Sequence, residues 1–166
     1  RQIYAQIWKM QAGRTSIYLL DTDIPENLPE DRIVTSQLYG GDHNMRITQE
    51  ILLGIGGVRA LRKMGIKPTI YHMNEGHSAF LGIELIREYI AKGYSINLAK
   101  ELVASKSVFT THTPVPAGND AFNENMMKEY FGAQLDPYGV SWEQFFSIGK
   151  DTSTSLFSMA FFALNC

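Results

Sequence analysis

Two short segments carry the side chains best suited to chemistry. In Tyr71-His72-Met73-Asn74-Glu75-Gly76-His77-Ser78 an apolar strand runs into Asn74, Glu75 and His77 just before a helix begins. In Ser107-Val108-Phe109-Thr110-Thr111-His112-Thr113-Pro114 a β-branched strand delivers His112 into a Pro- and Gly-containing loop. Ligands of α/β proteins bind at the carboxyl ends of strands, where the loops open onto the crevice beside the sheet. Two histidines presented alike predict one site built from neighbouring strand ends. Imidazole, amide and carboxylate together supply donors and acceptors of both kinds, which suits sugar hydroxyls, and the Glu75 carboxylate has acceptors for two of them. The residues read as a binding cleft or as a structural polar cluster, with the cleft favoured.

The flanking elements must hold these side chains in place. Ile3, Ala5 and Ile7 alternate with Gln2, Tyr4 and Gln6, the period of a half-buried strand over Gln2 to Met10. A turn at Ala12-Gly13-Arg14 and a strand over Thr15 to Leu20 complete a hairpin. Asp21 to Pro29 reads as a loop, Asp31 to Gln37 as a short helical turn, and Tyr39-Gly40-Gly41-Asp42 as a flexible loop. Ile47, Ile51, Ile55, Val58 and Leu61 form one apolar stripe, which predicts a continuous helix from His43 to Met64. Gly65 and Pro68 stop it. A strand over Thr69 to Met73, a helix over Gly76 to Lys92, a helix capped by Ser95 and a strand over Ser107 to Thr111 follow. Helices are expected over Asn123 to Phe131, Ser141 to Ile148 and the apolar run Leu156 to Leu164. The order predicts an α/β fold: a parallel sheet with flanking helices and right-handed crossovers, preceded by the hairpin. No linker divides the chain.

Composition narrows the function classes. The 166 residues suffice for a domain with a sizeable core. A net charge of −2, from 15 basic and 17 acidic residues, argues against a nucleic-acid partner. No apolar run approaches the roughly 20 residues that cross a bilayer, so no membrane partner is expected. One cysteine, Cys166, allows no internal disulfide and fits the cytoplasm. The chain starts without Met and stops straight after an apolar run, which reads as a piece of a longer protein truncated at both ends.

Other motifs have plainer readings. His72 and His77 do not share a helical face and the zinc-protease spacing is absent, so no metal site is expected. His72 alternates with Tyr71 and Met73 in a strand and is assigned to the core. Asp21-Thr22-Asp23 reads as a turn in which the acids cap backbone amides. Gly54-Ile55-Gly56-Gly57 lies within a helix rather than between strand and helix, so it reads as close packing of that helix on the sheet, not as a dinucleotide fingerprint.

Five runs, taken together and in order, resemble the α-glucan (glycogen and maltodextrin) phosphorylases, and their compact bacterial and archaeal branch in particular. They are Ile17-Tyr18-Leu19-Leu20-Asp21-Thr22-Asp23, Leu38-Tyr39-Gly40-Gly41-Asp42, Arg46-Ile47-Thr48-Gln49-Glu50, His72-Met73-Asn74-Glu75-Gly76-His77-Ser78 and the stretch from Phe109 to Gly118. The resemblance implies that the chain is the later part of the N-terminal domain, Rossmann-like and of the GT-B type, in a two-domain glycosyltransferase. Such enzymes cleave terminal α-1,4-glucosyl bonds with inorganic phosphate to give glucose 1-phosphate. They use pyridoxal phosphate, whose 5′-phosphate relays a proton to the attacking phosphate.

By the same resemblance, Asn74, Glu75 and His77 approach the glucosyl unit, and His112 contacts the glucose near its 6-hydroxyl. Asp42 belongs to a loop that gates the site. Glu75 stands where the best-known members carry Asp. The pyridoxal-binding lysine and the phosphate-binding groups lie outside the chain, so no catalytic residue is expected in it and activity alone is not. The partners implied are α-1,4-glucan and phosphate, with a homo-oligomer possible for the parent enzyme. Two alternatives remain: a glucan synthase of the same fold that uses a nucleotide sugar, and a non-catalytic carbohydrate-binding module.

Overall fold

The computed structural model describes residues 2–38, 40–113, 119–133 and 135–166. Tyr39 of the predicted glycine loop and residues 114–118 of the loop after His112 lie outside the described residues. The chain falls into two compact units, residues 1–52 and residues 53–166.

The first unit opens with an antiparallel hairpin, β1 (Gln6–Ala12) and β2 (Thr15–Asp21), which sets Trp8 opposite Leu19 and Met10 opposite Ile17. Ile3, Ala5 and Ile7 are half-buried while Gln2, Tyr4 and Gln6 are exposed, as the alternation predicts. Pairing nevertheless begins at Gln6 rather than Gln2. The Tyr4 backbone is taken instead by the Asn27 side chain, whose Oδ1 accepts the Tyr4 N–H (2.9 Å) and whose Nδ2 donates to the Tyr4 carbonyl (2.7 Å). After β2, Asp21 Oδ1 accepts the Asp23 N–H at 2.9 Å and Asp23 pairs with Arg32 at 2.6 Å. Asp21-Thr22-Asp23 is therefore a turn. A short helix, α1 (Pro29–Arg32), a 3₁₀ turn (Ile33–Thr35) and α2 (His43–Ile51) follow.

The second unit holds the strand–helix–helix–strand arrangement predicted from the sequence. β3 (Tyr71–Asn74) and β4 (Ser107–Thr110) pair in parallel, with Tyr71 opposite Ser107 and Asn74 opposite Thr110. A 3₁₀ turn (Gly76–Ser78), α4 (Leu81–Ile90) and α5 (Ile96–Ala104) connect them. Ser95 caps α5, its hydroxyl accepting the Leu98 N–H. Beyond residue 118 come β5 (Ala121–Phe122), α6 (Glu124–Phe131), a 3₁₀ turn (Asp136–Tyr138), α7 (Trp142–Gly149), β6 (Phe157–Ser158) and α8 (Met159–Leu164). Phe80, Phe131, Phe145, Phe157 and Phe162 interlock in the core at centroid separations of 4.9–6.2 Å.

Five expectations are corrected. The protein is α/β, but among the described residues its strands form three two-stranded sheets rather than one larger parallel sheet. The helix drawn from His43 to Met64 is interrupted by a π segment (Leu52–Gly56) before α3 (Gly57–Lys63). Gly54, in that segment, packs against the start of α4 rather than the sheet: a Cβ there would lie 2.7 Å from the Leu81 nitrogen. The last apolar run is not one helix, because Phe157 pairs with Phe122 across β6 and β5 before α8 starts, and the Ser158 hydroxyl caps α8. Finally, His72 is exposed rather than core: β3 turns Tyr71 and Met73 inward and His72 outward, where Nε2 meets the Thr110 hydroxyl at 2.6 Å.

Candidate functional site

The carboxyl ends of β3 and β4 are joined through one carboxylate. Glu75 is 4% exposed, and its Oε1 accepts the backbone N–H groups of both His112 and Thr113 at 2.9 Å. The Glu75 N–H in turn donates to the Thr110 carbonyl at 2.8 Å, extending the ladder one residue past the strand. The His112 amide foremost, and the Thr113 hydroxyl next, hold the Glu75 carboxyl down to about 2 against the pull of burial. Oε2 is buried and takes no hydrogen bond among the described residues.

Glu75 achieves this in a backbone conformation that only glycine adopts easily, with φ 62° and ψ −179°. Such a conformation persists only where its surroundings over-determine it, and here three backbone hydrogen bonds do so. The strain lies directly between the strand and the 3₁₀ turn that carries His77.

His112 is fixed from both sides. Its Nδ1 lies 3.2 Å from Glu75 Oε1 and its Nε2 3.0 Å from Asn74 Oδ1, while the ring stays 60% exposed. The carboxylate beside Nδ1 orients the ring. Asn74 carries both an oxygen and an NH₂ and can satisfy Nε2 in either state. Three of the residues singled out in the sequence thus meet in one network.

The other two have separate settings. His77 sits on the 3₁₀ turn with Nδ1 3.4 Å from Asp120 Oδ2, both side chains about 15% exposed. Gly76 beside it leaves no room for a side chain, since a Cβ would stand 2.9 Å from Met159 Cβ. The turn bearing His77 is thereby seated on the phenylalanine core. Asp42, in the first unit, caps α2: Oδ1 accepts the Met45 N–H at 2.9 Å, the bond that chiefly lowers its carboxyl pKa.

The expectation that Glu75 meets two sugar hydroxyls encounters a carboxylate with one oxygen committed to two amides. Asp120 was not singled out in the sequence; the only signal is its place in Asn119-Asp120, a polar pair closing the loop after His112. The strain at Glu75 had no signal at all, because glutamate is not a residue associated with positive φ.

Comparison with known proteins gives the chain's relatives. The maltodextrin phosphorylase of Thermococcus litoralis is 42% identical over 151 residues, 91% of this chain. The glycogen phosphorylase of Mycobacterium tuberculosis is 46% identical over 173 aligned positions, 96% of the chain. Over nearly its whole length the chain is homologous to glycogen and maltodextrin phosphorylases. The glycogen phosphorylase of Aquifex aeolicus adds 35% identity over 150 residues and 90% of the chain. This phosphorylase homologue spans about a fifth of the length of these relatives, 18%, 20% and 22% respectively. No family model and no solved structure matches the chain. No helix among the described residues is long and apolar enough to cross a membrane.

The lysines offer little to an aldehyde cofactor. A Schiff-base lysine is activated by desolvation or by a cationic neighbour in a closed pocket. Here Lys9, Lys63, Lys67, Lys92, Lys106, Lys128 and Lys150 are exposed and Lys100 is only half-buried. The residues present do not fit pyridoxal phosphate as a covalently held group.

Proposed function

We propose that this chain supplies the sugar-facing part of an α-glucan phosphorylase, which transfers terminal α-1,4-glucosyl units of glycogen or maltodextrin to inorganic phosphate. The observation that carries the reading is the Asn74–Glu75–His112 network across two parallel strand ends, in a chain whose relatives are named phosphorylases. The segment is then the later part of an N-terminal GT-B domain whose sheet is completed by other segments of the parent. Pyridoxal phosphate and the groups that bind phosphate belong to those other segments, and the chain alone turns nothing over.

Within that reading the residues divide the work of orientation. Glu75 acts mainly through His112: it fixes the loop amides and the imidazole, leaving Nε2 to exchange Asn74 for a glucose hydroxyl. Asn74, so released, is free to meet a neighbouring hydroxyl. His77, held by Asp120, faces the same sugar from the adjacent turn, and Asp42 orders the gating loop by capping α2. None of these groups moves a proton in the reaction. Their effect is to hold the sugar in one pose, a contribution that grows as charge develops in the transition state.

The test is made on the full-length enzyme. His112→Ala should slow phosphorolysis of maltodextrin at least about tenfold, the scale of one lost orienting contact, with unchanged cofactor absorbance. A normal rate removes His112 from the site. Dependence of turnover on inorganic phosphate, and indifference to nucleotide sugars, separates this reading from a glucan synthase.

A further inference from the structure

At the opposite end of β3 and β4 lies a cavity of about 490 Å³ whose lining is unusually basic. Five of the chain's 15 basic side chains, Arg62, Lys67, Arg87, Lys92 and Lys106, line it against one acid, Glu88, although the whole chain is net negative. Its position is fixed by the strand starts: Tyr71 opens β3, and its N–H donates to the carbonyl of Lys106, the residue before β4, at 2.8 Å.

The acids nearby are already engaged. Glu88 is held by Arg62 through a two-pronged pair at 2.8 and 3.0 Å. Glu84, fully buried, is shared by Arg59 and Arg87, so that cluster keeps one positive charge in excess. No carboxylate pairs with Lys67, Lys92 or Lys106 among the described residues. Tyr89 gathers two of these ammonium groups: Lys92 and Lys106 stand 5.1 and 5.4 Å from its ring centroid, and Lys106 also donates to its hydroxyl at 2.7 Å. Like charges held together at the mouth of a low-dielectric cavity raise the local concentration of an anion. Leu85 and Val103 give the same cavity an apolar wall. The volume falls within the range of small-molecule pockets.

We infer that this cavity binds a small phosphate ester, its phosphate among Lys67, Lys92 and Lys106 and its organic part against Leu85 and Val103. The site is separate from the His112 network, since it lies at the other end of the same two strands. It is independent of the proposed phosphorylase reaction.

Calorimetric titration of the protein with inorganic phosphate, mannose 6-phosphate and uridine 5′-monophosphate tests this, with glucose as the neutral control. At least one ester should bind with a Kd below about 1 mM, weakening as salt is added. The two esters distinguish a sugar phosphate from a nucleotide as the preferred source of the phosphate group. Lys92→Ala with Lys106→Ala should weaken that binding at least about tenfold, as expected for lost charge-assisted contacts. Lys67→Glu, at an exposed position that the fold does not depend on, should do the same. Binding of inorganic phosphate alone overturns the ester assignment. Absence of saturable heat with all three, or equal affinity in wild type and Lys67→Glu, overturns the site.

Discussion

The backbone nitrogen of Leu81 lies 2.7 Å from the point where a Cβ on Gly54 would stand. The π segment of one helix therefore packs directly on the backbone at the start of α4, with the Phe80 carbonyl carbon and Cβ each 2.9 Å from the same point. Gly54→Ala cannot be absorbed by a flexible side chain and should destabilise the protein by about 1–3 kcal/mol. Gly57, three residues on, has nothing within 4 Å of its Cβ direction, and Gly57→Ala should stabilise by about 0.5–1 kcal/mol through helix propensity. Chemical denaturation of both variants decides the point; a Gly54→Ala protein as stable as the wild type would contradict the packing.

Acid should loosen the protein partly through Glu75. Its carboxyl falls from an ordinary 4.5 to about 2 in the folded state, so folding is favoured most where the carboxylate is ionised in both states. That share of stability is fully present above about pH 4.5 and is lost as pH falls toward 2. Glu75→Gln keeps an acceptor for the two amides but cannot titrate. Its unfolding free energy should vary less with pH across this window than that of the wild type, and an identical slope would exclude Glu75 as the source.

Removing the Glu84 carboxylate should be costly. It is fully buried and accepts from Arg59 at 3.0 Å and from Arg87 at 2.6 Å. Without it two guanidinium groups face one another beside Tyr138. Losing one partner of a buried pair costs about 3–5 kcal/mol. The Arg59 side chain is 58% exposed, and solvation of the freed cation should reduce the loss for Glu84→Ala to about 2 kcal/mol. A thermal melt within error of the wild type would show that the pairs merely decorate the surface.

Cys166 should resist thiol reagents. Burial pushes its thiol up to about 12, so near pH 8 almost no thiolate is present and the sulfur is shielded as well. Labelling by a disulfide reagent should be slow in the native protein and rapid in denaturant. Fast native labelling would mean that the turn after α8 opens freely.

How much could be read from the residues depends on the range of the interaction involved. Caps and turns are local, and Ser95, Ser141 and Asp42 cap the helices that follow them. The alternation around Ile3, Ala5 and Ile7 and the existence of strands at Tyr71–Asn74 and Ser107–Thr110 also follow from short-range pattern. The helix over residues 43–64 reads as unbroken because an apolar stripe shows periodicity but not a one-residue slip, and the π segment depends on the approach of Leu81 from elsewhere in the chain.

The sequence by itself determined the hairpin, the strand–helix–helix–strand unit, the resemblance to phosphorylases, and the delivery of Asn74, Glu75, His77 and His112 to strand ends, since each is encoded within a few neighbouring residues. Only the tertiary structure decided which atoms those side chains address. That His72 turns outward, that Glu75 spends one oxygen on two distant amides at a strained φ, and that Asp120 meets His77 all rest on contacts between segments about 40 residues apart. Such contacts are set by which surfaces can bury each other, a property of the assembled chain that no local pattern of residues carries.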